Sequence, residues 1–360
     1  GANFYPPDIK YLPFISLKFE DKLSMYTLLR RNDDGDLYTI PYHKAFKNKL
    51  SKVAEYLNKA AEVTENKYLA EFLKQRAKDM LTDKYYESDL KWMDIKDNKI
   101  DIVIGPIQSD EDQFINTKTA YQSLILVKDQ QWSNKLCDYI GHVENLVEKI
   151  PVEEKFKNFV GSASDIGVYD AIYYAGRSNA GGKNISINHP KDGRILMEKG
   201  NKKLQFKNVM KAKFDKILNP ISKELIAEKQ QQNVKFEAFF INNLFYEIVD
   251  GLKIKNTVND TKVVNELKNH YNVMRGLKAD VLRLLFITYL EEEGKLSDTE
   301  LEENYLTFVG DLFRSVRFGT TYFQGKSNMM LFNDFIENGV ITRSDESGKY
   351  TVDTEKMKTQ

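Results

Sequence analysis

The chain has 360 residues and carries 53 basic and 53 acidic side chains, so its formal net charge at pH 7 is zero. A neutral chain has no overall field that would draw it to nucleic acid or to an anionic membrane. No apolar run approaches the roughly 20 residues that a membrane-spanning helix needs. We therefore expect no nucleic-acid partner and no membrane span.

The length and the hydrophobic fraction of 41% indicate a globular chain with a large core, divided into two domains or lobes. The single cysteine, Cys137, excludes an intrachain disulfide. The chain begins with Gly1-Ala2 and not with methionine, which is typical of a processed chain. A removed signal sequence would fit this start, and we expect the periplasm or cell envelope as its location in preference to the cytoplasm.

Two stretches near the N-terminus repeat apolar residues every three or four positions, the period of an amphipathic helix. The first stretch runs through Phe46, Leu50, Val53, Leu57 and Ala61, and the second runs through Leu69, Phe72, Leu73, Ala77 and Met80. We predict an antiparallel helical hairpin, and we assign both stripes to the core.

Sequence typical of β-structure follows the hairpin. Strands are predicted over residues 100–104, 123–127, 168–175 and 185–188, and a helix is predicted over 131–149. The glycine-rich turn at 176–182 lies between the last two strands. It lacks the Lys-Ser/Thr order of a phosphate-binding loop.

From Asn201 the pattern predicts mostly helix, with a break or kink at Pro220. Helices are predicted over 236–252 and 277–293, and Ser297-Asp-Thr-Glu300 has the spacing of a capping box. A closing hairpin is predicted around Asp345-Glu-Ser-Gly348. We divide the chain into a helical hairpin with a β-containing lobe (1–230), a helical lobe (231–330) and a C-terminal hairpin that packs back on the body (331–360).

The helix predicted over 236–252 contains Tyr246-Glu-Ile-Val-Asp-Gly251, which has the spacing of the zinc-peptidase motif His-Glu-x-x-His but neither histidine. That motif puts two imidazoles four residues apart on one helical face, with a glutamate between them for the attacking water. Here Tyr246 and Asp250 stand at the ligand positions and Glu247 stands at the base position. A neutral phenol is a poor zinc ligand, and one carboxylate does not make a metal site.

Five blocks between about residue 40 and the C-terminus carry a family resemblance. They are Ser88-Asp-Leu-Lys-Trp-Met-Asp-Ile-Lys-Asp97, Asp101-Ile-Val-Ile-Gly-Pro106, Tyr173-Tyr-Ala-Gly176 with Asn179-Ala-Gly181, Ile254-Lys-Asn-Thr257, and Arg314-Ser-Val-Arg-Phe-Gly319. In order and spacing they resemble the dipeptidyl peptidase III family of zinc peptidases, especially its shorter bacterial members. The resemblance implies an α+β, predominantly helical fold in which a β-core lobe and a helical lobe are separated by a cleft.

The family's other working residues are also replaced at the matching positions. The third zinc ligand, the second glutamate of Glu-Glu-x-Lys/Arg-Ala-Asp/Glu, corresponds to Gly276 and follows Arg275. The family's oxyanion-stabilising tyrosine corresponds to Asp110, and its active-site histidine corresponds to Gln324. Because a glycine offers no ligand and the neighbouring guanidinium would repel a cation, we expect no metal and no other cofactor.

The resemblance further implies a peptide that lies extended against a strand edge, a contact that needs no zinc. We expect this edge at 185–190, where Asn188 would bond a peptide backbone and Asn179 would lie on the preceding turn. An asparagine that completes its own turn is an equal alternative for Asn179. Arg275 and Arg317 are candidates for recognising a carboxylate.

Three functions remain open on this evidence. We favour a catalytically inactive relative of a zinc dipeptidyl peptidase that binds a peptide or a protein, because Tyr246, Asp250, Asp110 and Gln324 are polar replacements. The second is a hydrolase with a site rebuilt from Glu247, Asp250 and Asp110 around a hard cation such as Mg²⁺. The third is a structural or assembly protein whose cleft has closed, with side chains filling the former metal position.

Overall fold

A computed structural model of the chain describes residues 3–96, 98–108, 111–157, 164–179 and 183–359. The chain forms two compact units, one made of Gly1–Lys128 and Tyr169–Lys202 and the other of Asp129–Val168 and Lys203–Gln360. The sequence-based boundaries at residues 230 and 330 do not coincide with these limits, since both fall inside the second unit. Among the described residues, no helix is long and apolar enough to cross a membrane.

The N-terminal half of the chain mixes helices and strands. In chain order these are α1 (Tyr11–Ser16), β1 (Thr27–Arg31), β2 (Leu37–Pro41), α2 (Tyr42–Ala45), α3 (Lys47–Val63), α4 (Lys67–Met80), α5 (Tyr86–Met93), β3 (Ile100–Gln108), β4 (Ala120–Lys128), α6 (Gln130–Ile140), α7 (Val143–Lys149), β5 (Ser164–Gly176), β6 (Ser186–His189), α8 (Gly193–Glu198) and β7 (Asn201–Phe206). The predicted hairpin is confirmed by α3 and α4, which pack against each other across a three-residue connection. The helix predicted over 131–149 is two helices, with Gly141 and His142 between them.

The C-terminal half is helical except for a short hairpin. Its elements are α9 (Lys207–Lys213), a π-helical turn (Phe214–Leu218), α10 (Asn219–Leu225), α11 (Phe236–Asp250), α12 (Val263–Leu267), α13 (Tyr271–Glu292), α14 (Leu301–Val316), α15 (Phe323–Glu337), β8 (Ile341–Arg343), β9 (Tyr350–Val352) and α16 (Thr354–Thr359). The predicted closing hairpin is confirmed by β8 and β9. Pro220 lies directly after the π-helical turn, and the helical run from Lys207 to Leu225 continues through it, so the chain does not break there.

Two predictions of this region are wrong in detail. Residues 201–206 form strand β7, whereas the pattern from Asn201 onward predicted mostly helix. Lys202, Lys203 and Gln205 are buried together with Leu204, so the strand lacks the polar and apolar alternation that would have identified it. The capping box is formed by Glu300 and Glu303 at the start of α14, three residues later than the spacing from Ser297 predicted.

Five strands form one sheet in the order β3-β4-β5-β7-β6. The pairs β3/β4 and β4/β5 are antiparallel, with Val103 opposite Leu124 in the first pair and Leu124 opposite Tyr174 in the second. Strand β6 lies at one edge of this sheet, where the sequence analysis expected an edge for peptide binding.

The second unit is built around α11, which is apolar on almost its whole circumference. Phe239, Phe240, Leu244 and Phe245 are at most 1% exposed, because α11 packs against α9, α13 and α14. A helix that is hydrophobic all round belongs in a core, and this position fixes the C-terminal end of α11 against its neighbours.

In the first unit, a buried charge network holds the end of β6. Arg76 Nη2 donates to Asp89 Oδ1, and His189 Nε2 lies 3.1 Å from the same oxygen. Burial raises the pKa of Asp89, but the charges of Arg76 and His189 outweigh it and hold this pKa at about 2. Asp89 is therefore an ionised group whose partners come from two different elements.

We expect Asp89→Asn to destabilise the protein by about 3–5 kcal/mol, because it leaves the guanidinium of Arg76 buried without its counter-charge. Chemical denaturation followed by circular dichroism measures this loss. Asp94→Asn is the matched control, since its Lys199 pair is on the surface and should contribute less than about 1 kcal/mol. Equal losses in the two variants would contradict the structural role of the Asp89 network.

Candidate functional site

The positions that match the peptidase motif lie on three helices of the second unit. The last turns of α11 carry Tyr246, Glu247 and Asp250, and the first half of α13 carries Gly276. Gln324 is the second residue of α15. Helix α13 packs against both α11 and α15, so these side chains come together although the sequence separates them by up to 78 residues.

Asp250 is bound by an arginine of α13. Arg275 Nε donates to Asp250 Oδ1 at 2.7 Å, and its Nη2 donates to Oδ2, so both carboxylate oxygens are engaged in a bidentate pair. Asp250 is 4% exposed. Burial lowers the pKa of Arg275, but its bonds to Asp250 outweigh this effect and raise the pKa overall. Position 250 is thus occupied by an internal ion pair.

Tyr246 belongs to a polar chain that ends at a second buried carboxylate. Its hydroxyl donates to Gln324 Oε1 at 3.2 Å, and Gln324 Nε2 donates to Asp280 Oδ2 at 3.1 Å. Arg283 Nη2 lies 2.8 Å from the other carboxylate oxygen of Asp280. Burial raises the pKa of Tyr246, and the charges of Asp280 and Asp250 raise it further. Tyr246 is therefore a neutral phenol held as a hydrogen-bond donor.

Asp280 has no exposed surface. Burial raises the pKa of this carboxyl to about 6, and the negative charge of Asp311 acts in the same direction, while Arg283 and the bond from Gln324 oppose them. Arg283 also lies over the ring of Phe308, 4.4 Å from its centroid. The charge of Asp280 is thus balanced only in part.

The space beside Gly276 is filled by α15. A Cβ atom added at this position would lie 3.0 Å from Ser327 Oγ and 3.4 Å from Gln324 Oε1. Both distances are tighter than an ordinary van der Waals contact. A longer side chain at position 276 therefore requires the neighbouring residues of α15 to move.

Glu247 is paired with a lysine of strand β7. Lys203 Nζ donates to the backbone carbonyl of Glu247 at 2.6 Å and lies 3.5 Å from its Oε2 atom. The side chains of Lys203 and Glu247 are 6% and 15% exposed. The carboxylate at the position of the general base therefore faces a fixed cation of the chain.

The remaining predicted residues lie elsewhere. Asp110 falls outside the described residues. Asn179 is on an exposed turn in the first unit. Its Oδ1 accepts a hydrogen bond from Lys183 Nζ at 2.9 Å, so its side chain is engaged by a residue four positions later. Asn188 is on β6, and its buried Oδ1 has no hydrogen-bond partner among the described residues. Arg317 is exposed at the end of α14 and stacks on Phe318.

Sequence reasoning missed Lys203, Arg283 and Ser327. Arg283 could have been found, because it lies three residues after Asp280 on one helix and can pair with it there. Lys203 and Ser327 carry no local signal, since tertiary packing brings Lys203 to Glu247 and Ser327 to Gly276. Within the described ranges, no group of three or more His, Cys, Asp or Glu side chains could hold a metal ion.

The model of peptidase family M49 matches residues 31–249 of this chain, which is more than half of its length. The chain belongs to peptidase family M49. The matched segment includes Tyr246 and Glu247 but ends before Asp250 and Gly276.

Solved structures and a curated relative agree with this assignment to M49. The chain is 36% identical to dipeptidyl peptidase III from Caldithrix abyssi, with a TM-score of 0.93 over 100% of this chain and 70% of that one. It is 30% identical to dipeptidyl peptidase III from Corallococcus sp. strain EGB, with a TM-score of 0.78 over 99% of this chain and 68% of that one. The predicted α+β, predominantly helical fold of this family is confirmed.

Nudix hydrolase 3 of Arabidopsis thaliana is 31% identical to this M49 member over 388 residues. The match covers 99% of this chain but 50% of that protein. The chain thus spans about half the length of the curated relative that it matches.

We expect Arg275→Met to destabilise the M49 chain by roughly 2–3 kcal/mol, because it leaves Asp250 buried without a partner. The loss is smaller than for a fully buried pair, since the Arg275 side chain is 40% exposed. Denaturant unfolding gives the value, and Arg317→Met, which removes an exposed arginine, should change stability by less than about 0.5 kcal/mol. The double variant Arg275→Met with Asp250→Leu should recover most of the loss; a loss as large as that of Arg275→Met alone would argue against the pair.

Asp280 should make the stability of the protein depend on pH. Its folded pKa of about 6 lies above the value of about 4 in an unfolded chain, so the folded state holds this proton more tightly. The contribution of protonated Asp280 to the free energy of unfolding is complete below about pH 4 and is lost as the pH rises through about 6. Unfolding free energies of the wild type and Asp280→Asn between pH 4 and 8 test this: the difference between the two proteins should change over that window, and parallel profiles would rule it out.

Proposed function

We propose that this member of family M49 is not a zinc peptidase but a protein that binds a peptide or another protein. The observation that carries the proposal is the bidentate ion pair between Asp250 and Arg275. A carboxylate whose two oxygens already accept from a guanidinium is a weak ligand for a second cation, and the fixed positive charge repels a metal ion.

The other candidate donors do not fit a zinc ion either. Zinc in a catalytic site takes three protein ligands, drawn from neutral imidazoles, thiolates and carboxylates. Tyr246 offers a protonated phenol whose pKa is raised by burial, and Gly276 offers no side chain. Gln324 and Ser327 of α15 fill the space where a ligand from position 276 would lie.

Glu247 is also poorly suited to its former role. A general base must reach the proton that it takes, with its lone pairs available. Lys203 Nζ donates a hydrogen bond to the backbone carbonyl of Glu247 and also forms an ion pair with the Glu247 carboxylate. A hydrolase rebuilt around Glu247 and Asp250 is therefore disfavoured, since each carboxylate already has a cationic partner from the chain.

Peptide binding is supported by the edge strand of the first unit. Strand β6 lies at the edge of the five-stranded sheet, and an extended peptide can add to such an edge through main-chain hydrogen bonds. Asn188 on this strand has a buried amide oxygen without a partner among the described residues. A buried polar atom without a partner is costly, and a bound peptide that displaces the groups covering this oxygen would satisfy it with a backbone N–H.

The test combines metal analysis with a peptidase assay on the purified chain. We expect no stoichiometric zinc by elemental mass spectrometry and no cleavage of dipeptidyl arylamides with or without added Zn²⁺. Turnover that a chelator abolishes would refute the loss of zinc chemistry. Calorimetric titration with a library of short peptides should detect binding that Asn188→Ala weakens, whereas Asn184→Ala, an exposed residue just before β6, should leave it unchanged.

Rebuilding the ligand positions tests the same proposal from the opposite direction. Tyr246→His, Asp250→His and Gly276→Glu together should still take up no zinc, because Arg275 remains beside the site and Ser327 Oγ would crowd the new side chain. Adding Arg275→Glu and Ser327→Ala removes both obstacles, and zinc binding should then appear. Stoichiometric zinc in the variant with three substitutions would contradict our account of what excludes the metal.

A further inference from the structure

A cavity of about 590 Å³ lies in the second unit, along a stripe of α13. Met274, Leu277, Val281 and Leu284 recur on this helix at steps of three and four residues and line the cavity. Met274 is 40% exposed and Val281 is 47% exposed, and together with their neighbours on the stripe they form a contiguous apolar patch. The stripe is thus an apolar surface open to solvent.

The walls on either side of the stripe are also mostly apolar. Ile150, Val152 and Phe156 line one side, and Phe335 of α15 and Met357 of α16 line another. The volume falls in the range of about 300–1,000 Å³ that is usual for small-molecule sites in proteins. Such sites combine apolar walls with a few polar groups that fix the orientation of the ligand.

The polar groups of this cavity are nearly all engaged with other residues. Lys358 Nζ forms an ion pair with Glu292 at 3.0 Å, and the hydroxyls of Thr288 and Tyr305 bond to each other. Asp334 Oδ1 accepts a bond from Asn338 Nδ2 at 3.2 Å.

Lys278 is different, because its ammonium group forms no ion pair with any carboxylate in the part of the chain that the structure describes. Its Nζ donates to the backbone carbonyl of Leu252, and no carboxylate among the described residues lies within ion-pair distance of it. Burial lowers the pKa of Lys278 to about 8, the nearby cations Arg275, Lys253 and Lys203 act in the same direction, and Asp250 opposes them. One residue that lines the apolar cavity therefore carries a partly buried cation that an anion would stabilise.

We propose that this cavity binds an amphipathic monocarboxylate, such as a medium-chain fatty acid, with its carboxylate on Lys278 and its hydrocarbon body along the stripe from Met274 to Leu284. The one charge of Lys278 would pair with the one carboxylate of the ligand, and the apolar walls of the cavity would contact its hydrocarbon chain. An extended peptide would bring many backbone groups into walls that offer them few partners. The inference does not depend on the function proposed for the M49 scaffold, because these residues lie outside the polar network of Tyr246, Gln324 and Asp280.

Calorimetric titration of the full chain with decanoate and with 1-decanol, both below the concentration at which they aggregate, tests the proposal. The two probes share a hydrocarbon body and differ in their charge. We expect decanoate to bind at least tenfold more tightly than 1-decanol. Lys278→Met should weaken decanoate binding roughly tenfold or more, with little effect on 1-decanol, because it keeps the aliphatic stem and removes the charged bond.

Three further variants control the experiment. Lys278→Arg keeps the charge and should retain most of the affinity, and Lys211→Met, at a lysine that pairs with Asp215 outside the cavity, should bind decanoate as the wild type does. If Lys278→Met does not fold, Val281→Glu puts a negative charge at an exposed position of the same stripe and should abolish decanoate binding. Equal binding of the two probes, undiminished binding to Lys278→Met, or a dimer that Val281→Glu dissociates would overturn the proposal, the last because a second copy would then cover the stripe.

Discussion

A charged side chain that is buried away from water needs an oppositely charged partner or has to become neutral. This constraint determines how residues pair in the helical unit of the protein. Asp250 meets it through Arg275, with two parallel bonds between a carboxylate and a guanidinium. Asp280 satisfies the constraint in both ways. Its carboxylate pairs with Arg283, and its raised pKa favours the neutral form. The constraint links positions that are far apart in the sequence, because an aspartate at position 250 without an arginine at 275 would be a buried charge left alone.

The same reasoning explains why the side chains at positions 246, 280 and 324 are polar. A phenol, a primary amide and a carboxyl group can pass hydrogen bonds from Tyr246 through Gln324 to Asp280, and each satisfies the next. A buried network of this kind is stable only when its members are paired, so it fixes the relative rotation of α11, α13 and α15. Side chains of the chain itself therefore hold these three helices in their arrangement.

Sequence periodicity predicted the elements whose two faces differ. Helices α3 and α4 have one buried stripe each, and their positions followed directly from the spacing of Leu50, Leu57 and Leu73. Strand β7 was not predicted, because Lys202 and Lys203 are buried beside Leu204 and no local sequence pattern indicates that a lysine is buried. The limits of the units were also beyond local patterns, since they depend on which distant segments pack together.

At the candidate site, the sequence identified the positions but not their partners. The sequence showed that positions 246, 250, 276 and 324 differ from the zinc-peptidase motif. It did not show the hydrogen bonds and ion pairs that these positions form. Arg275 was a candidate for binding a ligand's carboxylate, and it binds that of Asp250, 25 residues earlier in the chain. Glu247 and Lys203 are 44 residues apart, and only the packing of β7 beside the end of α11 brings them together.

The edge strand β6 also has a consequence for the behaviour of the protein at high concentration. It is four residues long and is followed at once by Pro190, which has no N–H to donate. Open-ended stacking of sheets from different molecules needs a long, regular row of free backbone donors and acceptors. An edge this short ends such a row after a few bonds, so it offers little template for the growth of fibrils.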